Sequence, residues 1–162
     1  MRVNASIVVA APIESVWAIV TDPERVLSYM SGVTRWEVAG DVRIGLGARY
    51  RMLFRIGAAE VGGLVEVVEF DEPCELAWTS VTGLDHRGRW RLREEPGGRT
   101  RVELRLAYVV AGAGLSGWLV ERIAAPSVSR HARQTLRQLG RLVEQEQLRE
   151  RAARRRTGAS SI

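Results

Sequence analysis

The sequence predicts an α+β domain: a curved antiparallel sheet of seven strands wrapped around one long, kinked C-terminal helix, with two short helices after the first strand. Three observations carry this reading. In residues 8–26 an apolar strand runs into Pro12, after which Val16, Trp17, Ile19 and Val20 recur at helical spacing. Residues 33–109 then hold segment after segment of apolar–polar alternation, broken by Gly- and Pro-bearing turns. Finally, Val128, Ala132, Thr135, Leu136, Leu139, Leu142 and Val143 fall within an arc of about 120° on a helix, a stripe that faces a sheet.

Residues 2–9 open the domain as a half-buried strand, with Val3, Ala5, Ile7 and Val9 on one side. Helices are predicted at 13–20 and 23–29, the second capped by Asp22 and started by Pro23. The next strand covers 33–39 and carries Trp36 and Val38. Residues 49–56 alternate, with Tyr50, Met52, Phe54 and Ile56 facing inward. Residues 61–70 are apolar but interrupted by Gly62-Gly63, which predicts a bulge or bend there. Strands at 75–81, 86–94 and 101–109 complete the meander. In the last two, Gly88, Trp90, Leu92, Val102, Leu104, Leu106 and Tyr108 face inward and arginines face out.

Residues 115–125 are helical in pattern but out of phase with the stripe that begins at Val128. Pro126 separates the two halves and predicts a kink that re-aims the first half over the sheet, with Gly112, Gly114 and Gly117 loosening its entry. Such an apolar half-helix suits a pocket mouth as well as it suits plain core.

At 162 residues the chain makes one domain, here residues 1–148, and buries a core without covalent staples. Cys74 is alone, so no internal disulfide forms. The chain shows no secretory pattern and no apolar run near the ~20 residues of a membrane span. These features predict a cytoplasmic location. The net charge is +5, with the excess concentrated in residues 149–162, where Arg149, Arg151, Arg154, Arg155 and Arg156 face a single Glu150. That composition predicts a disordered basic tail with, at most, weak contact to acidic surfaces. All 24 basic residues are Arg. On the strands they alternate with Glu, and no outward aromatic offers a base a stacking partner, so ion pairing explains this face better than a specific nucleic-acid partner.

The order strand, paired helices, strands, long helix, with Ala11-Pro12-Ile13-Glu14-Ser15-Val16-Trp17 and Thr21-Asp22-Pro23-Glu24, resembles the START-like superfamily and its helix-grip fold. Residues Gly88-Arg89-Trp90-Arg91-Leu92 before Gly97-Gly98-Arg99-Thr100-Arg101-Val102 extend the likeness, in particular to the bacterial polyketide cyclase/dehydrase and lipid-transport branch. It covers residues 1–148. The resemblance implies an apolar cavity between the concave sheet and the terminal helix. It leaves function open, because the fold serves carriers, cyclases, receptors and chaperone cofactors.

The residues expected to line that cavity are Tyr29, Trp36, Tyr50, Met52, Phe54, Val65, Trp78, Trp90, Leu104, Leu119 and Ile123. An apolar, aromatic-rich wall with sparse polar groups is the usual composition of small-molecule sites. Chemistry is harder to place. Cyclases of the superfamily are similar in setting a few polar groups deep in the pocket, and the candidates here are Tyr50, His86, Tyr108 and His131. Each has an ordinary structural alternative: a strand-end hydrogen bond for His86, a helix-edge contact for His131, a satisfied packed hydroxyl for the tyrosines. No nucleotide loop, Ser-His-Asp order or metal-ligand cluster is visible, so neither metal nor cofactor is expected. The sequence therefore favours a hydrophobic small molecule as partner, carried or sensed by a monomer or homodimer. An aromatase/cyclase and a protein-interaction module are the alternatives.

Overall fold

Strand β1 (Arg2–Val9) leads into helix α1 (Ile13–Val20) and a single helical turn, α2 (Val26–Tyr29). Six strands follow: β2 (Val33–Val38), β3 (Arg49–Ile56), β4 (Ala59–Asp71), β5 (Glu75–Ser80), β6 (His86–Glu95) and β7 (Arg99–Tyr108). Helix α3 (Leu115–Ala159) comes last. This computed structural model describes the backbone of residues 2–109 and 115–159, and the side chains of 2–109 and 126–157.

The strands form one antiparallel sheet in the order β1-β7-β6-β5-β4-β3-β2, curled into a half-barrel. Strands β2 to β7 are a meander, and β1 adds to its far edge beside β7. Helices α1 and α2 carry the chain from one sheet edge to the other. In doing so they bury Ile13, Val16, Trp17, Ile19, Val20, Val26 and Tyr29, while Ala18 and Leu27 stay exposed.

The inward sets read from the alternation are the ones that are covered. Trp90, Leu92, Val102 and Leu104 are 2% exposed or less, and Tyr50, Met52 and Tyr108 are buried. The other face is wet and ion-paired. Arg89 bridges Glu69 and Glu75, Arg91 joins Glu75 at 3.1 Å, and Arg101 joins Glu95 at 2.6 Å.

Three local expectations change. The second helix is one turn long, because Asp22 caps a turn instead, accepting from the Glu24 N–H at 3.0 Å. Gly62 and Gly63 keep regular register; the irregularities lie at Val33/Arg35 and Val67/Glu69. The glycine pair serves close approach, since a Cβ at either position would overlap the carbonyl of Met52 or Thr82. The third change concerns residues 149–162, where the composition predicts disorder. Helix α3 instead continues to Ala159. Residues 148–157 are exposed throughout, so this end is held by helix propensity and not by packing: apart from Thr157 it is built from Leu, Arg, Glu and Ala, all strong helix formers.

The stripe of α3 meets the sheet as its spacing requires: Val128, Ala132, Thr135, Leu136, Leu139 and Val143 are 3% exposed or less. Pro126 lies inside the helix, which is continuous across it. At Gly140 the rod passes beside β1, with Ile7 and Val9 as its neighbours. Polar ties fix its position. Ser31 N–H donates to Thr135 Oγ1 at 2.9 Å, and Ser31 Oγ meets His131 Nδ1 at 2.8 Å. Further along, Arg25 pairs with Glu146, and Gln147 Nε2 donates to Ser15 Oγ at 2.9 Å. Among the described residues no helix is long and apolar enough to cross a membrane.

Candidate ligand-binding site

Curling brings β3, β5, β6 and β7 around one end of the concave face, where Met30 and Val128 close over them. Between them lies a hollow of about 60 Å³ whose open surface is entirely apolar. Its wall includes Met30, Met52, Phe54, Trp78, His86, Tyr108 and Val128. A second hollow, of about 20 Å³, lies towards α1 and is walled by Val20, Trp36, Tyr50, Trp78 and Trp90. The ring of Trp78 borders both. A larger volume, about 610 Å³, belongs to an open surface groove beside Arg2, Arg87, Arg89 and Arg105. Its size reflects openness, and two of its arginines are already paired with carboxylates.

The sequence-derived lining set divides accordingly. Met52, Phe54 and Trp78 line the first hollow; Trp36, Tyr50, Trp78 and Trp90 line the second. Tyr29, Val65 and Leu104 line neither. Tyr29 is 1% exposed, sets its ring edge against Trp90 at 6.2 Å and donates its hydroxyl to Val20 O at 3.2 Å. Val65 and Leu104 are closed into the core. The side chains of Leu119 and Ile123 lie outside the described residues, as do Gly112 and Gly114. The sequence reading did not name Met30, Leu84 or Val128 as lining. Leu84 sits in a loop without periodicity, whereas Val128 heads the α3 stripe and could have been found from it.

The polar candidates differ in what they have left to offer. Tyr50 donates its hydroxyl to Arg43 O at 2.5 Å and stacks on Trp36, with ring centres 4.8 Å apart. Burial pushes its pKa up, so it stays a neutral donor already in use. His131 lines neither hollow. It holds Ser31 and meets the Phe54 ring edge-on at 5.3 Å. Tyr108 is buried in the wall of the first hollow, directly opposite His86 in the β6–β7 ladder.

His86 is the exception. Its Nδ1 lies 3.0 Å from Leu84 O. A carbonyl only accepts, so this nitrogen carries the proton and the neutral ring keeps its lone pair on Nε2. Among the described residues that Nε2 is buried without a partner, as are the indole N–H groups of Trp36 and Trp78. Burial lowers the pKa of His86, against smaller opposing effects from the Leu84 carbonyl and Asp85. The site therefore offers an apolar wall and a neutral imidazole. Among the described residues no group of three or more His, Cys, Asp or Glu side chains stands close enough to hold a metal ion.

A family profile described as polyketide cyclase / dehydrase and lipid transport matches residues 1–144. Among solved structures, TTHA0849 from Thermus thermophilus is similar with a TM-score of 0.77 and 26% identity, over 88% of this chain and 97% of that one. The Zhui aromatase/cyclase from a Streptomyces species gives 0.75 at 18% identity, over 89% and 93%. A START superfamily protein from Mycobacterium smegmatis gives 0.70 at 18% identity, over 89% and 97%. The two likenesses at 18% speak for the fold alone. No curated protein matches the sequence significantly.

Proposed function

Since the chain belongs to the polyketide cyclase/dehydrase and lipid transport family, we propose that it binds a hydrophobic small molecule, lipid-like or polyketide-like, in the first hollow and carries or senses it. The observation that carries this reading is the division of polar groups. The open wall is apolar, while the hydroxyls of Tyr29 and Tyr50 are turned to backbone carbonyls. A wall of this kind gains affinity from buried apolar area and offers little to a charged substrate.

The hollow is smaller than the roughly 300–1,000 Å³ that drug-sized ligands occupy. A ligand of that size enters with rearrangement of the wall. Met30 and Met52 are the wall residues that repack at least cost, being unbranched and polarisable. Native mass spectrometry of protein purified from its host, with thermal-shift assays against fatty acids, sterols and aromatic polyketides, tests the reading. A bound apolar species, or stabilisation by one class, is expected. Absence of both would remove the proposal.

A cyclase reading is favoured by one observation, the Nε2 of His86 beside the hollow, which has no partner among the described residues. A neutral imidazole there has the right form to accept a proton from a carbon acid between two ketones. Turnover of a poly-β-ketone that is lost in His86→Ala, with folding intact, would establish it; an unchanged product profile would exclude it.

A further inference from the structure

Two nitrogens beneath the lining of the first hollow have no partner among the described residues, Trp78 Nε1 and His86 Nε2. The two residues are 4% and 7% exposed, and both belong to the same wall. The sheet register puts them on one face of neighbouring strands. Trp78 pairs with Gly88, and His86 stands two residues before Gly88 on β6, so it shares that face and lies diagonal to Trp78. Gly88 has no side chain, and the indole lies over it by Cε2 and Cζ2. Nε1 is bonded to Cε2. The nitrogen-bearing edge of the indole is therefore kept above the strand that carries His86.

The two groups are complementary. An indole N–H only donates. With its proton on Nδ1 and given to Leu84 O, His86 Nε2 only accepts. Buried polar groups left unpaired favour any ligand that pairs them and disfavour its analogues that do not.

We propose that Trp78 and His86 recognise a hydroxyl, so that the ligand is an apolar molecule carrying an alcohol or phenol. The indole N–H donates to the hydroxyl oxygen, and the hydroxyl donates to Nε2. A ketone or ether oxygen satisfies Trp78 alone. A carboxylate presents a second lone pair to Nε2, and a hydrocarbon leaves both nitrogens unpaired. This inference rests on the first hollow being a ligand site, and its test separates the two claims.

The probes are para-propylphenol, its methyl ether and propylbenzene, titrated calorimetrically into the full chain and into His86→Leu. The phenol is expected to bind about tenfold tighter than the ether, and the preference is expected to vanish in His86→Leu. Should that variant fail to fold, NMR on the unsubstituted chain decides. The phenol, and not propylbenzene, should shift both the Trp78 indole N–H and the His86 Nε2 resonances. Equal binding of phenol and ether, or unmoved resonances with the phenol bound, overturns the hydroxyl pair and leaves the hollow as a ligand site. No binding by any of the three overturns both claims.

Discussion

The indole of Trp78 lies across the backbone of Gly88, its partner in the β5–β6 ladder, with no room for even a methyl group between them. One missing side chain on β6 thus places the ring that separates the two hollows. Gly88→Ala would push the ring off the strand. The expected cost is about 1–3 kcal/mol, as for other overpacked cores, seen as a fall of several degrees in Tm. The near-ultraviolet circular dichroism of the indoles should change with it. An unshifted Tm would show that the ring has somewhere else to go.

Acidification should weaken the fold through its two histidines. Burial holds His86 below its ordinary value of 6.5, and burial with Arg130 does the same for His131. Between the unfolded and folded pKa values the unfolded chain binds more protons, so this contribution is complete above about pH 6.5 and is lost as pH falls through the folded values. Urea denaturation at a series of pH values checks the slope. His86→Leu should flatten part of it.

Thr135→Val should loosen the grip of α3. The Ser31 N–H then loses its 2.9 Å acceptor in a site where Thr135 is 2% exposed. An orphaned donor of this kind costs about 1–3 kcal/mol, measurable by chemical denaturation. Thr135→Ser keeps the hydroxyl and should recover most of the loss.

Tyr50→Phe removes the hydroxyl that holds the Arg43 carbonyl. The expected loss is about 0.5–1.5 kcal/mol of stability. Binding of an apolar ligand in the first hollow should be unchanged, because Tyr50 belongs to the other one. A large loss of binding would show that the two hollows act as one.

Removing residues 149–162 should leave Tm within about a degree of the full chain, since residues 149–157 are exposed and residues 146 and 147 hold the ties to Arg25 and Ser15. A clear fall in Tm would mean that the end of α3 packs after all.

Particular residues show how far the sequence could be read. The inward set Gly88, Trp90 and Leu92 and the stripe from Val128 to Val143 follow from periods of two and 3.6 residues, which are local properties of strand and helix. Gly62-Gly63 misled for a related reason. Glycine signals that a side chain is unwelcome, and the obstacle there is a carbonyl of Met52 or Thr82 across the sheet, not a bulge in the strand itself. In residues 149–159 the charge of the arginines argues for disorder, but Ala, Glu and Arg also have high helix propensity, and the helix prevails.

The sequence by itself determined the order of the elements, the inward face of each strand and the face of α3 that meets the sheet. Those depend on backbone geometry repeated along one segment. Tertiary structure decided which inward aromatic fills the core and which borders a hollow, which hydroxyl is occupied by a distant carbonyl, and that one histidine keeps a nitrogen unpaired among the described residues. Such outcomes depend on curvature and on what arrives from across the sheet, and no period in the chain records either.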